Sequence, residues 1–303
     1  MARLVYLGTP EAAVTPLRAL VGAGHEVALV VTRPDKRRGR GSEFAPSPVK
    51  AAAVELGLPV SVALEDVLDV GAELGVVVAY GRIIPSAVLD RLAMVNVHFS
   101  LLPRWRGAAP VERAILEGDA ETGVCLMAVE AGLDTGRIYA EATTAIGHEE
   151  TADALRSRLV EIGCGLLVEH LRDGPAGLPP PRDQSGMPSY AEKIRPAELE
   201  LDWRQPASDL RRVIRLGRAW TTFHGRRLRI LEATGPEDAT APGGHAVPGG
   251  TGAIPGRLDG AEVIAGNGTR LRLIAVQPEG KRPMAALDWL HGVRPGPGDA
   301  LGA

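Results

Sequence analysis

Asn96 and His98 stand at the end of the apolar run Met94 to His98, and Asp134 lies further along in Gly132-Leu133-Asp134-Thr135-Gly136. An amide, an imidazole and a carboxylate together suit one reaction, the transfer of an acyl group to an amine. In that reaction negative charge develops on the carbonyl oxygen, the attacking amine sheds a proton, and the departing nitrogen gains one. An amide can hold the oxyanion, an imidazole can donate to it or carry protons, and a carboxylate can orient the imidazole. No covalent nucleophile is needed. None is signalled either, since neither Cys125 nor Cys164 has a histidine beside it and there is no G-x-S-x-G elbow. Taken singly, each residue also has a plain structural use: a hydrogen-bonded Asn or His in a strand, and an Asp that caps a glycine-flanked turn.

The elements that must position these groups are legible as alternating patterns. In a strand, side chains repeat every two residues, so Asn96 and His98 share a face. They stand at the C-terminal end of that strand, where open α/β sheets bind their ligands. Apolar runs at Arg3–Leu7, Glu26–Val31, Gly75–Ala79 and Met94–His98 alternate with helical stretches at Thr9–Val21, Pro48–Glu55 and Pro85–Arg91. Uninterrupted apolar strands separated by helices predict a doubly wound, mostly parallel α/β sheet covered on both faces. A helix at Ala108–Glu117, a strand at Gly123–Val129 and a long helix at Glu149–Leu171 complete this domain. From Gly174 to about Pro206 the composition turns loose and proline-rich, as in a linker. Beyond it come a short helix at Ala207–Leu216 and short β runs at Leu228–Leu231, Glu262–Ile264 and Leu271–Val276, which suggest a small barrel or sandwich. The expected domains are 1–189 (catalytic, with the first part of that linker-like stretch at its end), 190–206 (linker) and 207–303 (C-terminal).

Composition narrows the class further. With 303 residues, 45% of them hydrophobic, the chain can build more than one core. A net charge of −3 gives no global sign of a polyanion binder, so any nucleic-acid contact must be local. Two distant cysteines do not make a disulfide framework, and the histidines lack ligand spacing, so no metal is expected. Neither a signal peptide nor a run of 18 apolar residues is present, which predicts a cytoplasmic protein without a membrane contact. Gly8-Thr9-Pro10 lacks the G-x-G-x-x-G spacing of a dinucleotide loop and reads as a strand-to-helix turn.

The residues resemble the methionyl-tRNA formyltransferases over nearly the whole chain. The resemblance is carried by Gly8-Thr9-Pro10, by Pro46 to Lys50, by Val78-Ala79-Tyr80-Gly81-Arg82-Ile83-Ile84-Pro85, and by Asn96-Val97-His98. It continues through Ser100-Leu101-Leu102-Pro103-Arg104-Trp105-Arg106-Gly107-Ala108-Ala109-Pro110, Gly132 to Gly136, and Tyr190-Ala191-Glu192-Lys193-Ile194. It implies a catalytic set of Asn96, His98 and Asp134, a folate-contacting segment at Ser100, Leu101, Leu102 and Pro103, and 10-formyltetrahydrofolate as formyl donor. It also implies a C-terminal domain resembling an oligonucleotide-binding barrel that holds methionyl initiator tRNA. Phe99 departs from the family pattern, where many members have a small residue, and it raises the expectation of a narrowed donor site.

Two basic clusters fit the tRNA reading. Arg33, Lys36, Arg37, Arg38 and Arg40 form a loop after the second strand, where the resemblance implies a segment that enters the acceptor stem, with Arg40 at the family's key arginine. Between Trp203 and Ile230 eight arginines, among them Arg211, Arg212 and Arg215, face the single acid Asp209. Such patches bind phosphate or simply form a solvated face. A monomer is the expected state. The rival readings are a sugar-nucleotide N-formyltransferase, with the same strand and Ser-Leu-Leu-Pro segment, and a non-catalytic RNA-binding protein on the same fold.

Overall fold

Four of the strands expected from the apolar runs form the centre of a seven-stranded sheet in a computed structural model, which describes residues 1–37, 44–235, 254–296 and 298–302. The strands are β1 (Arg3–Gly8), β2 (Glu26–Val31), β3 (Val60–Ser61), β4 (Leu74–Val78), β5 (Met94–His98), β6 (Glu121–Ala128) and β7 (Ile138–Ala145). Their order is β7-β6-β5-β4-β1-β2-β3, parallel from β5 to β3, with β6 and β7 added antiparallel at the other edge. The strand β7 has no apolar run: in IYAEATTA burial falls mainly on Ile138, so sheet pairing rather than hydrophobicity defines it.

Both faces of the central strands are buried, which is why their sequences show no polar alternation. Val5, Leu7, Leu29, Val31, Val77 and Met94 pack on one face with Val88 of α3 (Ser86–Leu89) and with Tyr80 and Ile84. On the other face Leu4 and Tyr6 are fully buried, and the Tyr6 hydroxyl donates to Ala13 O at 2.6 Å, just before α1 (Val14–Gly22). The helix α2 (Pro48–Glu55) starts at Ser47, whose Oγ accepts the Lys50 N–H at 3.0 Å, with a proline in its first turn. The helix α4 (Pro110–Glu117) lies between β5 and β6, and the long helix α5 (Ala152–His170) follows β7.

His25, at the start of β2, is buried, and its Nδ1 accepts the Ala2 N–H at 3.3 Å. Burial holds its pKa below the ordinary histidine value. The folded state thus prefers the neutral ring. The resulting stability is complete above about pH 6.5 and is lost as pH falls through the depressed folded value. Chemical unfolding followed from pH 7.5 downward should show this loss in the parent chain and a shallower one in His25→Gln; equal slopes would remove His25 from the account.

Contacts divide the chain into two units, Met1–Arg113, Glu121–Ala145 and Leu155–Glu192 in the first, Ala114–Ala120, Ile146–Ala154 and Lys193–Ala303 in the second. The second unit holds α6 (Ala207–Arg215), β8 (Trp220–Phe223), β9 (Arg226–Thr234), β10 (Leu258–Asp259), β11 (Glu262–Ile264), β12 (Arg270–Pro278), β13 (Met284–Ala285) and α7 (Ala286–Val293). Its strands pair antiparallel in the order β8-β9-β12-β11-β10, with β13 also on β12. The segment Ala300–Gly302 bonds both margins of this sheet: Leu301 N–H donates to Gly256 O at 2.8 Å and Gly302 N–H to Thr222 O at 2.9 Å. Edge groups that would otherwise be open for pairing are thereby used within the unit. Leu210 and Ile214 of α6 join Leu228, Ile230, Leu271, Val276 and Trp289 in its core. Among the described residues no helix is long and apolar enough to cross a membrane.

Candidate active site

The strand β5 places Met94, Asn96 and His98 on one face and Val95, Val97 and Phe99 on the other. Register with antiparallel β6 sets His98 opposite Cys125 and Asn96 opposite Met127. His98 is 5% exposed. Its Nε2 lies 2.9 Å from Trp105 O, and its Nδ1 faces Asp134 Oδ2 at 3.6 Å. A carbonyl can only accept, so Nε2 carries the proton and a neutral ring turns the Nδ1 lone pair toward the carboxylate. The gap exceeds hydrogen-bond length. Two electron-rich groups thus face each other across a space that an incoming proton would stabilise.

Asp134 is held by backbone. Its Oδ2 accepts the Gly107 N–H at 2.8 Å, its φ is +49°, and its Oδ1 has no hydrogen-bond partner among the described residues. Two glycines make this approach possible: a Cβ at Gly136 would sit 1.9 Å from Ala128 O, and one at Gly107 (φ +123°) would sit 2.8 Å from Ala191 O. Asn96 is half-buried, and its side-chain amide has no hydrogen-bond partner among the described residues. The structure therefore brings His98 and Asp134 together and leaves Asn96 as a free donor on the His98 face. His98, expected to share in holding the oxyanion, has its N–H engaged by Trp105 O.

The Ser100–Pro103 segment is clamped rather than loose. Ser100 is fully buried and its Oγ donates to Arg104 O at 2.6 Å. Leu101 packs against Gly123 of β6, where a Cβ would come within 2.5 Å of Leu101 Cδ2. The Leu102 N–H donates to Cys125 Sγ at 3.4 Å. Burial pushes the Cys125 thiol up to about 11, so it stays protonated and is no nucleophile.

Phe99 does not narrow the His98 face. It lies with Val97 on the opposite side, near Gly163 of α5, where a Cβ would be 3.8 Å from Phe99 Cε1 and 2.7 Å from Val97 Cγ1. Phe99→Ala is expected to cost about 3 kcal/mol of stability with the KM for the formyl donor within about twofold of the parent. A large rise in that KM with unchanged stability would return Phe99 to the donor site.

Residues Gln184 and Ser189, within the stretch read as linker, were missed. Gln184 Nε2 donates to Asp134 O and Gly136 O, both at 2.8 Å, and Ser189 Oγ accepts the Trp105 N–H at 3.0 Å. Only the position of Tyr190-Ala191 within a motif hinted at order there; the two pair in parallel with Arg106-Gly107.

The basic clusters fare unequally. Arg33 donates to Gly81 O, and Lys36-Arg37 form a short antiparallel pair with Phe44-Ala45, whereas Arg38 and Arg40 lie outside the described residues. Arg211 and Arg215, expected to meet phosphate, are instead 4% and 9% exposed. Arg211 pairs with Glu149, and Arg215 donates to Glu150 O at 2.8 Å and Gly147 O at 2.9 Å. Buried guanidinium groups need such acceptors, and these two are occupied by them. Arg212 is half-buried, 3.5 Å from Asp209. The exposed arginines of that stretch are Arg204, Arg218, Arg226 and Arg227, of which Arg204 pairs with Asp202 at 2.7 Å and Arg227 lies 4.3 Å over the Trp220 ring. Among the described residues no group of three or more His, Cys, Asp or Glu side chains is arranged to hold a metal ion.

Comparison with known proteins agrees with this architecture. The formyl transferase family model matches residues 2–171, and that of the formyl transferase C-terminal domain matches residues 193–294. A methionyl-tRNA formyltransferase of Jannaschia sp. (strain CCS1) is 43% identical over 314 residues, covering 99% of each chain. One of Roseobacter denitrificans is 45% identical over 306 residues, covering 96% of this chain and 95% of its own. Among solved structures, the N-formyltransferase from Helicobacter canadensis, in complex with folinic acid and dTDP-3-aminofucose, has a TM-score of 0.65 at 17% identity and covers 92% of this chain and 100% of its own. HypX from Aquifex aeolicus in complex with tetrahydrofolic acid has a TM-score of 0.61 at 16% identity, covering 96% of this chain and 47% of its own. Identities that low speak for the fold alone. The relatives above 40% identity, matched from end to end, decide the rest: the chain belongs to the methionyl-tRNA formyltransferase family.

Proposed function

We propose that this enzyme moves the formyl group of 10-formyltetrahydrofolate onto the α-amino group of methionyl initiator tRNA, by direct attack of the amine. The observation that carries the reading is the facing of His98 Nδ1 and Asp134 Oδ2 at 3.6 Å, with the uncommitted Asn96 amide on the same strand face. The donor supplies an activated formyl carbon, and residues 100–103 would hold it, with Asn96 directed at the formyl oxygen. As charge develops on that oxygen, the Asn96 amide donates to it in a site where a fixed dipole is worth more than water. The attacking amine is neutral in useful amount, because α-amino groups titrate at about 7.7 to 8.0. Its proton passes, directly or through water, to the space between His98 and Asp134, and from there to N10 of the folate as the bond between N10 and the formyl carbon breaks, releasing tetrahydrofolate. Trp105 O then supports the ring from the far side.

Exposed Arg218, Arg226 and Arg227, the Trp220 ring and the basic segment from Arg33 to Arg40 favour a nucleic-acid substrate, in accord with the relatives' names. We assign the reaction to the cytoplasm and the active form to a monomer. The test is a labelled-formyl assay offering methionylated initiator tRNA, methionylated elongator tRNA and an amino-sugar nucleotide side by side. Product on initiator tRNA is expected; product on the sugar alone would transfer the chain to the sugar-nucleotide reading. Failure to bind a folate in a titration would leave the non-catalytic RNA-binding reading.

A further inference from the structure

We propose that Gln184 and Ser189 are positioning residues for the His98–Asp134 pair, so that the segment read as linker is a working part of the active site. The inference rests on reading Asp134 as the catalytic carboxylate. A carboxamide offers two donors and one oxygen with two lone pairs, and Gln184 uses all of them. Nε2 donates to Asp134 O and Gly136 O, while Oε1 accepts from Arg106 Nε at 3.1 Å and Arg106 Nη2 at 2.5 Å. Ser189 works on the same neighbour: its Oγ accepts the Trp105 N–H and its carbonyl accepts the Arg106 N–H at 2.9 Å.

The three residues Trp105, Arg106 and Gly107 are the connection. Trp105 O receives His98 Nε2, and Gly107 N–H holds Asp134 Oδ2. Both halves of the pair therefore depend on backbone groups of one short stretch, and that stretch is fastened by Gln184 and Ser189. Gln184 also fixes the carbonyl of Asp134 itself, a residue in the left-handed region that asparagine and aspartate tolerate but do not prefer. Small displacements of a reacting group are costly, with an error of about 1 Å costing as much as a hundredfold in rate. Neither residue touches a reacting atom; each acts through the pair.

The test compares Gln184→Glu, Gln184→Ala, Ser189→Ala and Ser189→Thr in the formyl-transfer assay, at a temperature where circular dichroism shows each chain fully folded. Gln184→Glu keeps the oxygen that faces Arg106 but sets a second oxygen against two carbonyls. The expected result is a fall in kcat of about tenfold or more for both Gln184 variants and for Ser189→Ala, with the KM of either substrate within about twofold. Ser189→Thr, which keeps the hydroxyl, should recover most of the activity. The acid limb of the pH–rate profile should move in the Gln184 variants and stay in place in Met187→Ala, a 93%-exposed neighbour on the same segment. Parent-like kcat in folded Gln184→Glu, or equal kcat in the two Ser189 variants, overturns the proposal. If Gln184→Ala does not fold, the other three substitutions decide. Asp134→Asn in the same assay separates the two levels: full activity there defeats the catalytic reading itself, whereas its loss beside unaffected Gln184 and Ser189 variants defeats only the positioning role.

Discussion

Asn96→Ala is expected to lower kcat by about a hundredfold to a thousandfold while leaving the KM for the formyl donor close to that of the parent. The reason is that Asn96 donates to an oxygen whose charge is small in the bound donor and large at the transition state. Interactions that strengthen only there appear in kcat rather than in KM. Its side chain is bonded to nothing else among the described residues, so its removal leaves no protein group stranded and the fold should be unaffected. Asn96→Asp tests the sign, since it keeps the shape but brings an acceptor and a charge to the place where a donor is needed. It should be at least as damaging. A parent-like kcat in Asn96→Ala would remove it from the oxyanion role.

The second large effect belongs to Asp134→Asn, for which a loss on the order of a thousandfold in kcat is expected. The substitution is nearly isosteric, and an amide oxygen can still accept the Gly107 N–H that Asp134 Oδ2 accepts at 2.8 Å. What it loses is the negative charge facing His98 Nδ1, and with it the stabilisation of a proton arriving between them. Folding and donor binding should therefore persist while turnover collapses. Steady-state kinetics with saturating folate, together with a direct binding titration, make the distinction. If Asn at 134 supports turnover within a few fold of the parent, the carboxylate is only a clasp for the Gly107 turn.

Much of the site was legible because its logic is local. The two-residue repeat of a strand placed Asn96 beside His98, and the same repeat puts Phe99 with Val97, on the side that α5 approaches through Gly163. The expectation that Phe99 would crowd the donor overlooked that alternation. Asp134 carried no such local signal; a glycine-flanked aspartate looks the same whether it caps its own turn or faces a distant imidazole. Its assignment came from the fit of an amide, an imidazole and a carboxylate to one acyl transfer, and then from the motif resemblance, and its orientation follows from close backbone approaches at Gly107 and Gly136.

The misreadings share a cause. Arg211 and Arg215 stand four residues apart and so on one side of α6, yet helical periodicity does not say which side meets acceptors and which meets water. Their burial against Gly147, Glu149 and Glu150 was invisible in a count of arginines. The stretch around Gln184 and Ser189 looked like linker because its composition is loose, but order there comes from side-chain and backbone bonds to residues 48 to 84 positions earlier. The chain's own letters determined the strand, the shared face of Asn96 and His98, the two-part organisation and the family. Only tertiary structure decided which carbonyl holds the imidazole, which way the arginines turn and what fastens Asp134, because backbone donors and acceptors are the same at every residue and acquire identity only through where the fold sets them.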